Sequence, residues 1–161
     1  MLKYLLKAPE AGWAAASPAQ ATVENLKIRY LGTAGFILSD QHRTVVLDPF
    51  ISRPSLWQTF TQPLLSDPAL VRKYIPQADE VLIGHAHYDH ILDAPEVCKQ
   101  TGARLIGSQA SLMYGRSAGL SEQQMLETKG RKTIDCGKWQ VVGLPSIHGK
   151  ALFGRVPLPG D

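Results

Sequence analysis

The sequence has few cysteines and no long apolar run, and each of these features argues against one kind of structure. Its two cysteines, Cys98 and Cys136, lie far apart and show no Cys-x-x-Cys spacing, so a cysteine zinc site is not predicted. We interpret both as reduced residues, which fits a reducing compartment. No apolar stretch approaches the roughly 18 residues that a membrane-spanning helix needs. The sequence therefore predicts no transmembrane segment.

The N-terminus starts like a signal peptide but lacks the apolar core of one. Lys7, Pro9 and Glu10 interrupt the apolar residues before a core of about 7–15 residues can form. We interpret residues 1–25, which include an Ala-, Pro- and Ser-rich stretch, as a flexible extension of a cytoplasmic protein. The run of alanines at 14–16 leaves export as the alternative.

The charge of the chain is small and its basic residues are scattered. There are 17 Lys and Arg against 14 Asp and Glu, a formal net charge of +3. The densest basic group, residues 129–132, is typical of a solvated turn, whereas nucleic-acid-binding proteins carry a clustered basic face. No specific nucleic-acid partner is predicted. A length of 161 residues with 44% hydrophobic content suits one globular domain.

The hydrophobic pattern predicts strands first and then strands that alternate with helices. Asp93 and Glu96 have a capping-box-like spacing for one of these helices, and residues 49–66 are predicted to form a long loop. The predicted strands are 26–31, 36–38, 44–47, 80–83 and 104–107, with a hairpin over 132–142. The predicted helices are 68–75, 94–101, one from about 109, and 122–128. This order indicates an α/β fold in which helices cover a sheet.

Four side chains that can bind a metal follow the predicted strand 80–83 within six residues, namely His85, His87, Asp89 and His90. His85 and His87 are two residues apart, so in an extended segment both point the same way. Asp89 and His90 fall in the following helical segment and project differently, which lets one peptide serve two metals. A buried cluster of imidazoles and a carboxylate is costly without a cation, so the pattern predicts a metal site. Imidazole ligands favour Zn²⁺, with Mn²⁺, Fe²⁺ or Ni²⁺ as alternatives.

The run His-x-His-x-Asp-His after a short strand resembles the motif of the metallo-β-lactamase superfamily. The resemblance implies that His85 and His87, together with the later His148, hold one metal ion. It implies that Asp89 and His90 help to hold a second, and that Asp89 is the catalytic residue that orients the attacking water. One or two Zn²⁺ ions are the implied cofactor.

Two further stretches, residues 31–36 and 46–50, resemble the opening hairpin of the ascorbate-phosphate-lactonase-like and N-acyl-phosphatidylethanolamine phospholipase D-like branch. Asp48 is expected near the metals, where its carboxylate orients a ligand histidine; the alternative is a turn residue before Pro49. The implied function is hydrolysis of an ester, lactone or phosphodiester, a small-molecule substrate, by a metal-bound hydroxide. His87 favours this over redox chemistry, because the flavodiiron branch carries Glu at that position.

The family fold is a four-layer αββα sandwich of two similar halves, and the second half supplies a bridging aspartate and a last histidine. No histidine follows His148. The predicted fold is therefore an α/β, metallo-β-lactamase-like sandwich over residues 26–161 that is incomplete at its C-terminus, with the first half and the start of the second. A sheet face left uncovered predicts pairing with another chain, including a homo-oligomer. The alternative function is a catalytically inactive metal-binding or interaction module.

Overall fold

The structure, a computed structural model, describes residues 25–145. The strands are β1 (Lys27–Gly32), β2 (Gly35–Ser39), β3 (Thr44–Leu47), β4 (Glu80–Leu82), β5 (Arg104–Gly107), β6 (Met125–Glu127), β7 (Thr133–Cys136) and β8 (Trp139–Val142). The helices are α1 (Leu56–Thr61), α2 (Pro68–Tyr74), α3 (Tyr88–Ile91), α4 (Ala94–Thr101) and α5 (Gln109–Ser117), and a 3₁₀ helix spans Glu122–Gln124. The mixed α/β order predicted from the sequence is confirmed.

Six of the strands form one sheet in the order β1-β2-β3-β4-β5-β6. The first three pair antiparallel, and from β3 onward every pairing is parallel. The carboxyl ends of β3, β4 and β5 therefore lie next to one another at the same end of the strands. The segments that leave these strands lie side by side. Strands β7 and β8 form a separate antiparallel hairpin, as the sequence predicts.

One face of the sheet carries the hydrophobic core. Val46, Val81 and Leu105 occupy matching register positions on β3, β4 and β5, and all three are fully buried. Val71 and Ile75, from α2 and its C-cap, belong to the same buried cluster. Each such side chain contributes roughly 1.5–3 kcal/mol by leaving water. This packing fixes β4, and with it the start of the histidine run.

The opposite face of the sheet is covered unevenly. The β7–β8 hairpin is joined to the sheet where Arg104 donates to the carbonyl of Asp135 and Trp139 Nε1 donates to Asp40 Oδ2 at 2.7 Å. On β1, Ile28 and Tyr30 are each 62% exposed. These two side chains leave apolar area exposed on β1, the first strand in the order of the sheet.

Two local predictions are wrong. Residues 49–66 contain helix α1, which begins with a capping box: Ser55 Oγ accepts from the Gln58 amide, and the Gln58 side chain accepts from the Ser55 amide. Residues 122–128 do not form one helix. The 3₁₀ helix ends at Gln124, and the next three residues form β6, which pairs parallel with β5. Pairing with the sheet satisfies the backbone groups of β6 better than an isolated short helix would.

The predicted N-terminal extension lies outside the described residues, except for Asn25, which is in a turn. None of the helices within 25–145 combines the length and apolarity that a membrane crossing requires. Cys98 and Cys136 are both buried free thiols.

Candidate metal centre

The histidine run begins immediately beyond β4, at the edge where the parallel strands end. Residues 83–86 have no regular structure, and His87 is the N-cap of the short helix α3. The His87 side chain makes no capping hydrogen bond. The change from extended chain to helix after His87 turns Asp89 and His90 back toward the strand end. This is the local geometry that the motif predicts.

The imidazole ring of His85 lies against the rings of both His87 and His90. The ring centroids of His85 and His87 are 4.5 Å apart, with an interplanar angle of 87°. Those of His85 and His90 are 3.8 Å apart, with an angle of 49°. All three residues are half-buried. The fold therefore brings three of the four predicted ligand histidines close together.

Asp48 connects the end of β3 to this cluster. Its Oδ2 lies 2.9 Å from His90 Nδ1, and its Oδ1 accepts a hydrogen bond of 2.7 Å from the Gly84 amide. A side chain at Gly84 would crowd this contact, since a Cβ atom there would lie 3.1 Å from Asp48 Oδ2. A carboxylate beside Nδ1 favours a proton on that nitrogen, which leaves Nε2 of His90 as the nitrogen able to bind a metal.

Asp89 lies on the other side of the same imidazole. Its Oδ2 is 3.8 Å from His90 Nε2, and its side chain is 38% exposed. Two donors that bind one ion with bonds of about 2.0–2.2 Å lie no more than about 4.4 Å apart. The positions of Asp89 and His90 are therefore compatible with one shared ion, and the exposed carboxylate is open to water.

The donor types fit a transition metal, although the present rotamers do not converge on one. Within residues 25–145, no group of three His, Cys, Asp or Glu side chains is arranged so that it could hold an ion together. Three neutral imidazoles and a carboxylate are a chemically suitable set for zinc. Binding would require rings that now contact each other to rotate. His148, the other predicted ligand, lies outside the described residues.

The sequence did not predict the part that Asp93 plays. Its spacing from Glu96 predicts an N-cap side chain, but the Asp93 carboxylate makes no capping bond to α4. It accepts instead from the amides of Ile51 and Ser52, which are about 40 residues earlier in the chain. No local pattern reports such a long-range partner. The only hint of this role in the sequence is that Asp93 is an acidic residue close to the Asp89–His90 pair.

A cavity of about 370 Å³ borders the histidine run. Asp48 and Gly84 belong to both its wall and the site just described. Its described apolar lining comprises Leu47, Leu82, Ile83, Ile106, Val141 and Leu144. Open α/β sheets bind ligands at the carboxyl ends of their strands, which is where this cavity lies.

Comparison with known families agrees with this geometry. A family model described as the beta-lactamase superfamily domain matches residues 43–156, which include β3, the histidine run and the hairpin. The chain belongs to the beta-lactamase superfamily. The fold is that of its metallo-hydrolase members, in agreement with the resemblance seen in the sequence.

The curated relatives of this chain carry names that describe metal-dependent hydrolases. A UPF0173 metal-dependent hydrolase of Methylacidiphilum infernorum is 34% identical over 113 residues, which are 70% of this chain and 45% of that protein. A UPF0173 metal-dependent hydrolase of Methanopyrus kandleri is 30% identical over 123 residues, covering 76% of this chain and 47% of the relative. The chain thus spans about half the length of the curated relatives it matches.

Solved structures of superfamily members share the fold. Igni18, a metallo hydrolase from Ignicoccus hospitalis, superimposes with a TM-score of 0.58 at 23% identity, over 82% of this chain and 53% of that one. CmlA, a diiron beta-hydroxylase from Streptomyces venezuelae, superimposes with a TM-score of 0.57 at 22% identity, over 86% of this chain and 27% of that one. At this level of identity the similarity establishes the architecture.

Proposed function

We propose that this protein is a metal-dependent hydrolase of a carboxylic ester or lactone. The observation that carries the proposal is the gathering of His85, His87 and His90 at one strand edge, with Asp48 against Nδ1 of His90. The names of the curated relatives support metal-dependent hydrolysis but specify no substrate. We take Zn²⁺ as the first choice of metal, with Mn²⁺, Fe²⁺ and Ni²⁺ as alternatives.

The residues divide into two groups around this site. His85 and His87, with His148, would hold one ion, and Asp89 with His90 would hold the other. The ions, when bound, would supply a water with a pKa lowered toward about 7 and would polarise the substrate carbonyl. Asp48 keeps the His90 ring oriented. Asp89 presents an exposed carboxylate oxygen, which would accept a hydrogen bond from the attacking water and orient it.

The cavity beside the site supports an apolar substrate. Its described lining is mostly aliphatic and contains neither Lys nor Arg, whereas phosphodiester sites usually supply such cations to the phosphate oxygens. An acyl group or the methylenes of a lactone ring would lie against Leu47, Leu82 and Ile106. We therefore place carboxylic esters and lactones ahead of phosphodiesters.

The test is turnover by the purified chain loaded with Zn²⁺. The substrates are p-nitrophenyl acyl esters, aliphatic lactones and bis-p-nitrophenyl phosphate, and the variants are Asp89→Asn and, as a control in the hairpin, Asp135→Asn. Hydrolysis of esters or lactones that Asp89→Asn abolishes and Asp135→Asn retains supports the proposal. Hydrolysis of the phosphodiester alone overturns the substrate class. Bound Zn²⁺ with no turnover of any substrate would contradict the proposed hydrolase activity and favour the alternative, an inactive metal-binding module.

A further inference from the structure

Asp93 is a fully buried carboxylate that lies three residues beyond His90. It accepts four hydrogen bonds. The amides of Ile51 and Ser52 donate to Oδ2 at 2.5 and 2.8 Å, and the hydroxyls of Ser52 and Ser66 donate to Oδ1. A buried carboxylate with this many neutral donors is stabilised in its place, and so are the groups that donate to it.

The four donors come from both ends of one loop. Ile51 and Ser52 follow β3 closely, and Ser66 stands just before α2. Ser52 Oγ also accepts a hydrogen bond of 2.6 Å from the amide of Asp67, the N-cap residue of α2. One carboxylate thus closes the base of the loop that contains α1. The first strand end and the start of α2 are joined through Asp93.

The turn that this carboxylate holds is an unfavourable one. Asp48 has φ of 41° and Arg53 has φ of 39°, both in the left-handed region that residues other than glycine seldom adopt. Ile51 and Ser52 lie between these two residues. Conformations of this kind persist only where surrounding contacts determine them strongly. The bonds to Asp93 are contacts of that sort, located in the middle of the turn.

Two hydrogen bonds join this turn to the segment that starts at His90, and the partners of the two bonds have the same separation in sequence. Asp48 pairs with His90, and Ile51 pairs with Asp93; each pair is separated by 42 residues. The rings of Phe50 and Tyr88, from the same two segments, also meet edge to face, with centroids 5.8 Å apart. The hydrogen bond from Ile51 to Asp93 therefore fixes the relative position of the two segments that the contact between Asp48 and His90 requires.

We propose that Asp93 is a positioning residue for the metal centre. It holds the turn from Asp48 to Arg53, so that the Asp48 carboxylate reaches Nδ1 of His90 and the His90 ring presents Nε2 to the ion. This inference rests on the proposed function, because it concerns the same site. Asp93 itself touches neither the ion nor the substrate.

The test compares Asp93→Asn with Glu80→Gln in the full chain. Both changes neutralise a fully buried carboxylate, but Glu80 binds Arg43 and Arg104, under the hairpin. Zn²⁺ affinity is measured by competition with a chelating dye, and the visible spectrum of the Co²⁺-loaded protein reports the ligand geometry. We expect Asp93→Asn to weaken Zn²⁺ binding about tenfold, the lower end of the effect of groups that orient a ligand, and to shift the Co²⁺ bands. Glu80→Gln should change neither quantity in the folded protein.

A third variant keeps the inference testable if Asp93→Asn does not fold. Ser52→Ala removes one donor to Asp93 and the acceptor for Asp67, and we expect a smaller loss of affinity with a Co²⁺ shift in the same direction. Variants with wild-type affinity and an unchanged spectrum overturn the positioning role alone. A wild-type chain that takes up neither metal overturns the proposed function, and this inference with it.

Discussion

Asp48 Oδ2 lies 2.9 Å from His90 Nδ1, and Asp89 Oδ2 lies 3.8 Å from Nε2 of the same imidazole, so the residue that follows β3 faces a ring with a second carboxylate near its other nitrogen. Removing the Asp48 carboxylate in Asp48→Ala removes the contact that orients the His90 ring and leaves the ring free to rotate. We expect the affinity for Zn²⁺ to fall about 10–100-fold.

Calorimetric titration with Zn²⁺ measures this loss, and Asp135→Ala, an exposed carboxylate in β7, is the matched control. An Asp48→Ala protein that binds Zn²⁺ as tightly as the control would show that Asp48 is only a turn residue before Pro49, the alternative that the sequence left open.

Glu80 links the sheet to the hairpin from a fully buried position. Its Oε1 lies 2.6 Å from Arg43 Nη1 and 2.9 Å from Arg104 Nη2, and both arginines are partly exposed. Removing one partner of a buried ion pair costs about 3–5 kcal/mol, but here the arginines can turn to water. We therefore expect Glu80→Gln to lower the free energy of unfolding by about 2–3 kcal/mol.

Urea unfolding followed by circular dichroism gives this value. The matched control is Glu122→Gln, which breaks the exposed pair with Arg116 and should lower the free energy of unfolding much less than Glu80→Gln does, because solvent screens that pair. Equal losses in the two variants would contradict the importance assigned to burial of Glu80.

Asp40 makes the attachment of the hairpin sensitive to acid. The indole N–H of Trp139 and the amides of His42 and Arg43 donate to its carboxylate, and these bonds lower the pKa of Asp40 to about 2. Because the folded pKa lies below the unfolded value of 3.8, the stabilisation is present above pH 4. It is lost as the pH falls from about 4 toward 2.

A protein that keeps Trp139 but has Phe in place of Trp13 and Trp57 reports this change through its fluorescence. We expect a transition in the range between pH 4 and 2 that Asp40→Ala eliminates. A transition that persists in Asp40→Ala, or one centred near neutral pH, would show that another group controls the hairpin.

Much of the fold could be predicted because several of its strands have clear local sequence patterns. The β-branched run of β3 and the apolar core of β5 are bounded by turn residues, and their predicted limits match the structure. Gly102 adopts φ of 77° and ends α4 where the sequence predicts. The motif at 85–90 likewise placed its histidines at a strand end without any tertiary information.

The errors arise where distant partners decide the outcome. Met125–Glu127 has residues common in helices, yet it pairs with β5, because an open sheet edge outweighs weak propensity. Asp93 has the spacing of a cap, yet Ile51 and Ser52 provide its donors. Only α1 was predictable and missed, since Ser55 and Gln58 have the spacing of a capping box.

The claim on which the rest depends is that the imidazoles of this run bind a transition metal. X-ray absorption at the Zn edge of the Zn²⁺-loaded chain tests it most directly, with His87→Ala as the site variant and His42→Ala, an exposed histidine before β3, as the control. We predict imidazole ligation at about 2.0–2.1 Å in the wild type and in His42→Ala, and fewer imidazole ligands per bound ion, or less bound Zn²⁺, in His87→Ala. Absence of bound Zn²⁺, or a spectrum that His87→Ala leaves unchanged, would contradict the account.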